Sequence, residues 1–368
     1  METVCKENSC TGCMACVDIC RKNAVKIVDS LKAYNAVIDE SLCVHCNACG
    51  NVCPQNNEIS MAAPVRWYQG WANETDVREN SSSGGIASAI SMNFIKSGGY
   101  VCSCVCEKGR FIFRGTDDLK ELKNFTGSKY VKSNPEGIYK YIKKLLTDGK
   151  KVLFIGLPCQ VAAVKRFVGK RYDKKLFTAD LICHGSPSPE LLEKFLNDYD
   201  YSLNDTESIV FRKKTDFGLS LSPNVKELNG IQDAYTFAFL KSIDYTENCY
   251  SCKYAQENRV GDITLGDAWG SDLPEEEQKA GVSLVLVQND KGKALLDNMI
   301  LLDIDSNKAK DANKQLRHPS VAPEERELFF SLICSGKSFS YAFFRCYPKF
   351  YIKQRIKGLL IKLKIKNP

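Results

Sequence analysis

The sequence predicts an α+β chain, with a small N-terminal module organised by cysteines ahead of a larger mixed α/β domain. Three observations carry this. The run Cys10-Thr-Gly-Cys13-Met-Ala-Cys16-Val-Asp-Ile-Cys20 returns thirty-three residues later as Cys43-Val-His-Cys46-Asn-Ala-Cys49-Gly-Asn-Val-Cys53. Val152 to Ile155 is a continuous apolar run stopped by Gly156 and Pro158, and Gln160 to Val168 follows with Val161, Val164 and Val168 on one helical face. This strand–turn–helix unit recurs in outline at 176–199 and again at 283–301.

The chain has 368 residues, enough for two or three domains with a sizeable core. No apolar run approaches the roughly 18 residues of a membrane span. The start, Met1-Glu-Thr-Val-Cys5, does not read as a signal peptide, so the expected location is a reducing cytoplasm. There the eighteen cysteines point to metal ligation rather than disulfides. The net charge is +7, yet residues 337–368 hold nine Lys or Arg and no acid; taking those nine away leaves −2 for the rest. By charge the body is no nucleic-acid-binding protein, and only the tail is basic.

Residues 1–60 form the first expected domain. The repeated C-x2-C-x2-C-x3-C spacing is that of a bacterial two-cluster ferredoxin, in which three close thiolates hold three irons of one cube and the fourth cysteine reaches the other cube. One 4Fe-4S cluster is expected on Cys10, Cys13, Cys16 and Cys53, the other on Cys43, Cys46, Cys49 and Cys20. A structural zinc site needs four ligands in a closed tetrahedron, and eight cysteines in tandem do not suit it. Arg21 stands after Cys20 where a proline is common, which touches loop geometry and not ligand count. Cys5 is surplus, and His45 reads as a surface or packing residue. Residues 24–29 and 34–38 read as a hairpin turning at Lys32-Ala33.

Residues 65–150 form the second expected region. Ser81-Ser82-Ser83-Gly84-Gly85 opens a helical run from Ile86 to Lys96. Small residues at a helix start expose amides that can cradle a phosphate, though serine is equally an ordinary N-cap. Cys102, Cys104 and Cys106 alternate along a strand and share one face. Buried thiols are the expectation there, with metal ligation the lesser alternative. Glu136 to Leu146 reads as a helix.

Residues 151–335 form the third. Cys159 sits where the strand 152–155 gives way to its helix, the edge at which open α/β sheets bind ligands. A thiolate there also faces the positive helix end. Cys183-His184-Gly185 ends the next strand, 176–182, before the helix 189–199. Cys249-Tyr-Ser-Cys252 adds a C-x2-C pair. Four cysteines suffice for a third cluster or for a four-cysteine zinc site, and spacing leaves both open. Ser283 to Val287 reads as a further strand and Lys291 to Leu301 as its helix.

Several motifs then fall in a familiar order: Ser82-Ser83-Gly84-Gly85, Gly127-Ser-Lys129-Tyr130-Val131, Gly156-Leu-Pro-Cys159-Gln160, Asp180-Leu-Ile-Cys183-His184-Gly185, the C-x2-C pair and Gly266-Asp267-Ala-Trp269. From about Tyr68 to Leu302 the chain resembles the beta-subunit family of coenzyme F420 hydrogenases and dehydrogenases. That family also contains plant 7-hydroxymethyl chlorophyll a reductase and F420-oxidising subunits led by a two-cluster ferredoxin. The resemblance implies FAD and a 4Fe-4S cluster near it, on Cys159, Cys183, Cys249 and Cys252. It places Ser82, Ser83, Gly84, Gly85, Lys129, Gln160 and Asp267 at the flavin, with Lys129 as the catalytic candidate whose charge would stabilise the reduced anion. The implied activity is an iron–sulfur flavoprotein oxidoreductase with ferredoxin or another redox protein as partner. Its alternatives are an F420 dehydrogenase module and a non-catalytic electron-transfer subunit. Many bacterial members resemble proteins encoded with surface-polysaccharide genes, which makes a small molecule or a lipid-linked glycan the expected substrate. The chain departs from hydrogenase subunits in its own ferredoxin module and its basic tail, 336–368. In that tail Ile352, Ile356, Leu359 and Leu363 form a stripe flanked by Lys353, Arg355, Lys357 and Lys362, suited either to peripheral contact with the inner face of a membrane or to a terminal helix packed on the body with its lysines solvated.

Overall fold

The computed structural model describes residues 2–222, 231–363 and 365. The expected hairpin is present: β1 (Val25–Asp29) pairs antiparallel with β2 (Tyr34–Ile38), Val25 opposite Ile38. The turn is closed by Ser30 N–H on the Ala33 carbonyl at 3.0 Å. Helices Ala15–Ile19 and Ala48–Val52 complete a small module whose buried side chains include Ala15, Tyr34, Ala36 and Val52.

The rest is built on one eight-stranded mixed sheet. Its strands are β3 (Arg66–Ala72), β4 (Tyr100–Glu107), β5 (Arg110–Thr116), β6 (Val152–Gly156), β7 (Leu176–Leu181), then, past a separate hairpin of β8 (Ser208–Lys213) and β9 (Asp216–Ser222), β10 (Ile263–Asp267), β11 (Ser283–Val287) and β12 (Met299–Asp303). The spatial order is β12-β3-β11-β10-β7-β6-β4-β5. The pairs β4–β6, β6–β7 and β7–β10 are parallel; the outer pairs are antiparallel. Regions 65–150 and 151–335 thus contribute strands to the same sheet. Every residue of β6 is buried, as a strand covered on both faces requires. One face carries Ile86, Ile90 and Phe94 of helix Ile86–Lys96. The other is covered by helices Ile138–Thr147 and Pro158–Val168, and the N-terminal module packs outside them.

One element departs from expectation. The helix expected over 291–301 is only Asp290–Lys293, after which the chain enters β12. Asn298 takes φ 57°, and the open edge of β3 offers a ladder that residues 299–303 complete. Tertiary pairing here overrides a weakly helical sequence.

The N-terminal module is tied to the sheet domain by polar contacts. Asp18 accepts from the amides of Gly137 at 2.7 Å and Tyr139 at 3.2 Å, at the start of helix Ile138–Thr147. Glu247 N–H donates to the Lys32 carbonyl at 2.9 Å, Ser188 Oγ to Asp29 at 2.5 Å, and Lys253 Nζ to the Asn57 carbonyl at 3.3 Å and the Pro54 carbonyl.

Candidate iron–sulfur and cofactor sites

The two cysteine runs fold alike, residue for residue. Gly12 and His45 both take positive φ, 71° and 53°, and each sends its amide to the sulfur two residues back, Cys10 and Cys43, at 3.4 Å. Met14 and Asn47, at 59° and 54°, then open the two five-residue helices. Cys20 and Cys53 follow those helices in extended conformation. The His45 side chain itself is exposed.

The fourth cysteines are exchanged. Burial pushes the Cys13 thiol up to about 12, with the charges of Cys10 and Cys53 adding to it. Cys16 is raised by burial and then by Cys13, Cys10 and Cys53. Cys49 is raised by burial and is in the field of Cys20 and Cys43. Cys53 therefore stands with the first run and Cys20 with the second. Cys5 is the surplus thiol, and it bonds to the sulfurs of both Cys10 and Cys53. That contact holds Cys53 below the ordinary thiol range, at about 6.

Cys159, Cys183, Cys249 and Cys252 come from three separate segments and meet beside the first run. Cys159 lies in the first turn of helix Pro158–Val168. Burial raises its thiol well above the usual value, Lys132 opposes this, and Cys252, Cys183 and Cys13 add to it. Cys183 is pushed up to about 12 by burial, then by Cys249 and Cys252. Gly185 makes the tight turn after Cys183 at φ 143°, where a Cβ would lie 2.2 Å from the Tyr245 ring. Cys249 Sγ accepts from Asn248 Nδ2 at 3.6 Å. Among the described residues no group of three or more His, Cys, Asp or Glu closes around a single ion. A cubane asks for less closeness, because its thiolates sit on separate irons.

Two tyrosines test whether this donor set fits clusters. Tyr139 and Tyr254 are 0% and 2% exposed, and neither hydroxyl has a hydrogen-bond partner among the described residues. Both phenols are raised by burial; Tyr139 feels Cys13, Cys159 and Cys16, and Tyr254 feels Cys159, Cys13, Cys252 and Cys53. An unsatisfied buried hydroxyl costs about 1–3 kcal/mol. Sulfur atoms of clusters held by these cysteines would accept from both hydroxyls, so the residues present fit the group.

A cavity of about 570 Å³ opens at the C-terminal ends of the parallel strands. Cys183 forms part of its wall, as do Ser82, Ser83, Gly85, Lys129, Gln160 and Asp267. Gly84 does not line it: its amide donates to Ser283 Oγ at 3.1 Å, and a Cβ there would lie 2.4 Å from the Gly70 carbonyl. Its lack of a side chain serves close packing on β3 and β11. Ser82 Oγ accepts from Ser128 N–H at 3.0 Å, and Ser83 Oγ donates to the Val282 carbonyl at 2.9 Å.

Residues 149–308 match the family described as the C terminus of the coenzyme F420 hydrogenase/dehydrogenase beta subunit, and residues 9–57 match the 4Fe-4S dicluster domain. The chain carries both domains. The N-terminal match is to an iron–sulfur domain, and the second match spans residues 149–308 of the 368. Among curated proteins none matches. A solved structure of the F420-reducing [NiFe] hydrogenase complex from Methanosarcina barkeri is similar at 17% identity and a TM-score of 0.45, over 69% of this chain and 91% of that one.

Several cavity residues have duties that motif reading does not reveal. Lys129 Nζ donates to the carbonyls of Phe125 at 3.0 Å and Thr126 at 2.8 Å, and burial lowers its pKa. Gln160 Oε1 accepts from Leu157 N–H at 2.9 Å, and its Nε2 donates to Ser133 Oγ at 2.9 Å. Asp267 holds Arg212 by two bonds, Nη1 to Oδ2 at 2.6 Å and Nη2 to Oδ1 at 2.8 Å. Arg212 Nη2 also donates to the Ser82 carbonyl at 2.9 Å, so the pair steadies the serine–glycine loop. His184 is a lining residue whose pKa is lowered by burial. Arg212, Phe217 and Phe239 carry no signal in the sequence; they are single residues of segments remote from every motif. Tyr130 joins them, its ring stacked on Phe239 at 4.4 Å and on Phe217 at 5.9 Å.

Proposed function

We propose that the chain is an iron–sulfur flavoprotein oxidoreductase, with a third 4Fe-4S cluster on Cys159, Cys183, Cys249 and Cys252 and FAD in the cavity beside it. The observation that carries this is the shared wall: Cys183 borders the same cavity as the serine–glycine helix start. Bound there, FAD would exchange electron pairs with an organic substrate and single electrons with the clusters. The chain's own residues do the rest. Gly85 opens helix Ile86–Lys96 towards the cavity, and the positive helix end with nearby Arg212 suits the pyrophosphate. Tyr130, Phe217 and Phe239 supply an apolar, aromatic wall that excludes water. Lys129, with its charge solvated by two carbonyls, stands where it can stabilise negative charge in the cavity. Asp267 acts by positioning Arg212. The partner is ferredoxin or another redox protein, and the substrate a small molecule or lipid-linked glycan of surface-polysaccharide synthesis.

Anaerobically purified protein should contain about twelve irons by cluster stoichiometry, and retain or bind about one FAD per chain. Full iron with no flavin bound on addition sinks the flavoprotein reading and leaves the electron-transfer role alone. Oxidation of F420H2 by the pure protein would select the F420 dehydrogenase alternative.

A second reading concerns the tail. Helix Pro348–Lys362 buries no residue, and Ile352, Ile356, Leu359 and Leu363 are at least half exposed. No helix of the described residues is long and apolar enough to cross a membrane. The proposed role is peripheral contact with an anionic bilayer, worth ~1 kcal/mol per basic residue near the surface. Equal sedimentation with anionic vesicles before and after deletion of 348–368 rules it out.

A further inference from the structure

Lys132 is a buried cation without an anionic partner. It is 5% exposed, and among the described residues it forms no ion pair with any carboxylate. Its Nζ donates to the Thr11 carbonyl at 3.2 Å and lies 3.5 Å from Ser186 Oγ, and it stands 5.3 Å from the Tyr34 ring centroid. Its own amide donates to the Pro187 carbonyl at 2.9 Å. Thr11 lies inside the Cys10–Cys13 loop, and Ser186 lies three residues past Cys183. The ammonium therefore bridges the first dicluster loop and the third cysteine set. In agreement, its charge lowers the thiols of Cys10, Cys159 and Cys183. Burying an unpaired ammonium costs several kcal/mol after relaxation. Neutral hydrogen bonds and one ring face do not offset that.

We propose that Lys132 is the shared counter-charge of the cluster on Cys10, Cys13, Cys16 and Cys53 and of the third cluster, raising both reduction potentials and joining the two as neighbours in the electron path. This rests on the third-cluster reading above. A cubane held by four thiolates is an anion, and each one-electron reduction adds one negative charge. A fixed cation beside both favours the reduced form of each. No bond forms or breaks. The cluster on Cys20, Cys43, Cys46 and Cys49 lies outside this contact; it is the entry point from solvent, where Cys46 is exposed. The order along the path is then exposed cluster, first-run cluster, third cluster, cavity.

The test is a redox titration of the full chain followed by electron paramagnetic resonance, in wild type, Lys132→Met and Lys132→Arg, with signals assigned through Cys43→Ser and Cys159→Ser. Lys132→Met should shift the first-run and third clusters to lower potential, leave the exposed cluster in place and keep full iron. Lys132→Arg should stay near wild type. Unmoved potentials at full iron, or an equal shift of all three clusters, overturn the proposal. Should the Met variant lose iron, retention in the Arg variant supports a need for charge, and loss in both means that shape alone is required and overturns it. Wild-type protein with about eight irons would instead remove the third-cluster reading itself, a result distinct from unchanged potentials at full iron.

Discussion

Arg259 and Asp180 form a buried ion pair, Nη2 to Oδ1 at 2.6 Å and Nε to Oδ1 at 3.0 Å, that joins two of the segments carrying the third cysteine set. Asp180 is on β7, three residues before Cys183; Arg259 follows Cys252 and also donates to the Tyr254 carbonyl at 2.8 Å. Asp180 Oδ2 accepts from the Gly261 amide at 2.7 Å.

Asp180→Asn should therefore destabilise the protein by about 3–5 kcal/mol, the cost of leaving one member of a buried pair uncompensated. The side chains are only 2% and 0% exposed, so solvent cannot compensate. Thermal unfolding measures the loss. If the pair also positions the cysteines, about four irons should become labile to chelator while the dicluster irons stay.

Cys159→Ala should remove about four irons from a total near twelve. The eight dicluster ligands lie in a separate module, so their signals should persist in electron paramagnetic resonance. An unchanged iron count would end the third-cluster proposal, and loss of zinc in place of iron would convert it to a structural zinc site.

Tyr254→Phe removes a hydroxyl that has no protein partner among the described residues. In metal-free protein the change should be neutral or stabilising by up to about 1–3 kcal/mol, because an unsatisfied group is lost. In the loaded protein it should lower a cluster potential, because a donor to sulfur is lost. Opposite signs in the two states are the signature; destabilisation in both would show a purely structural tyrosine.

Asp244 is fully buried, neither of its oxygens has a partner among the described residues, and burial pushes its carboxyl up to about 8. The folded protein keeps that proton up to about pH 8, whereas the unfolded chain releases it near pH 4. The unfolded state binds fewer protons in between, so this group makes stability fall as pH rises from about 4 to about 8 and level off above. Asp244→Asn should flatten that slope and stabilise most at the alkaline end. Melting curves across the interval check it; an unaltered slope would mean another group carries the dependence.

The dicluster module was the most legible part of the chain, because cluster ligation ties spacing to structure. The positions two and four residues past Cys10 recur past Cys43, down to matching positive φ values. The hairpin and the helix Ile86–Lys96 were legible from periodicity and turn residues. The cavity was half legible. Ser82, Gln160 and Asp267 belong to local motifs, but Arg212, Phe217 and Phe239 reach the wall only through the fold of β8, β9 and a later helix. Lys132 gave no signal at all: a lysine in sequence looks solvated, and only burial without a counter-ion marks it out. The strand β12 was hidden because pairing to an edge, not its own pattern, decides it.

The contacts of Asp18, Asp29, Lys32 and Lys253 across the module boundary give the N-terminal cysteines a fixed address. Many ferredoxins work as couriers that diffuse, dock and leave, so their turnover follows encounter frequency. Here the module is fixed to the sheet domain, and in the proposed electron path the hop between its inner cysteines and Cys159 would have one length. Internal transfer should be indifferent to solvent viscosity and to the length of residues 58–65. Kinetic control then passes outward, to whatever protein meets the exposed Cys46 end.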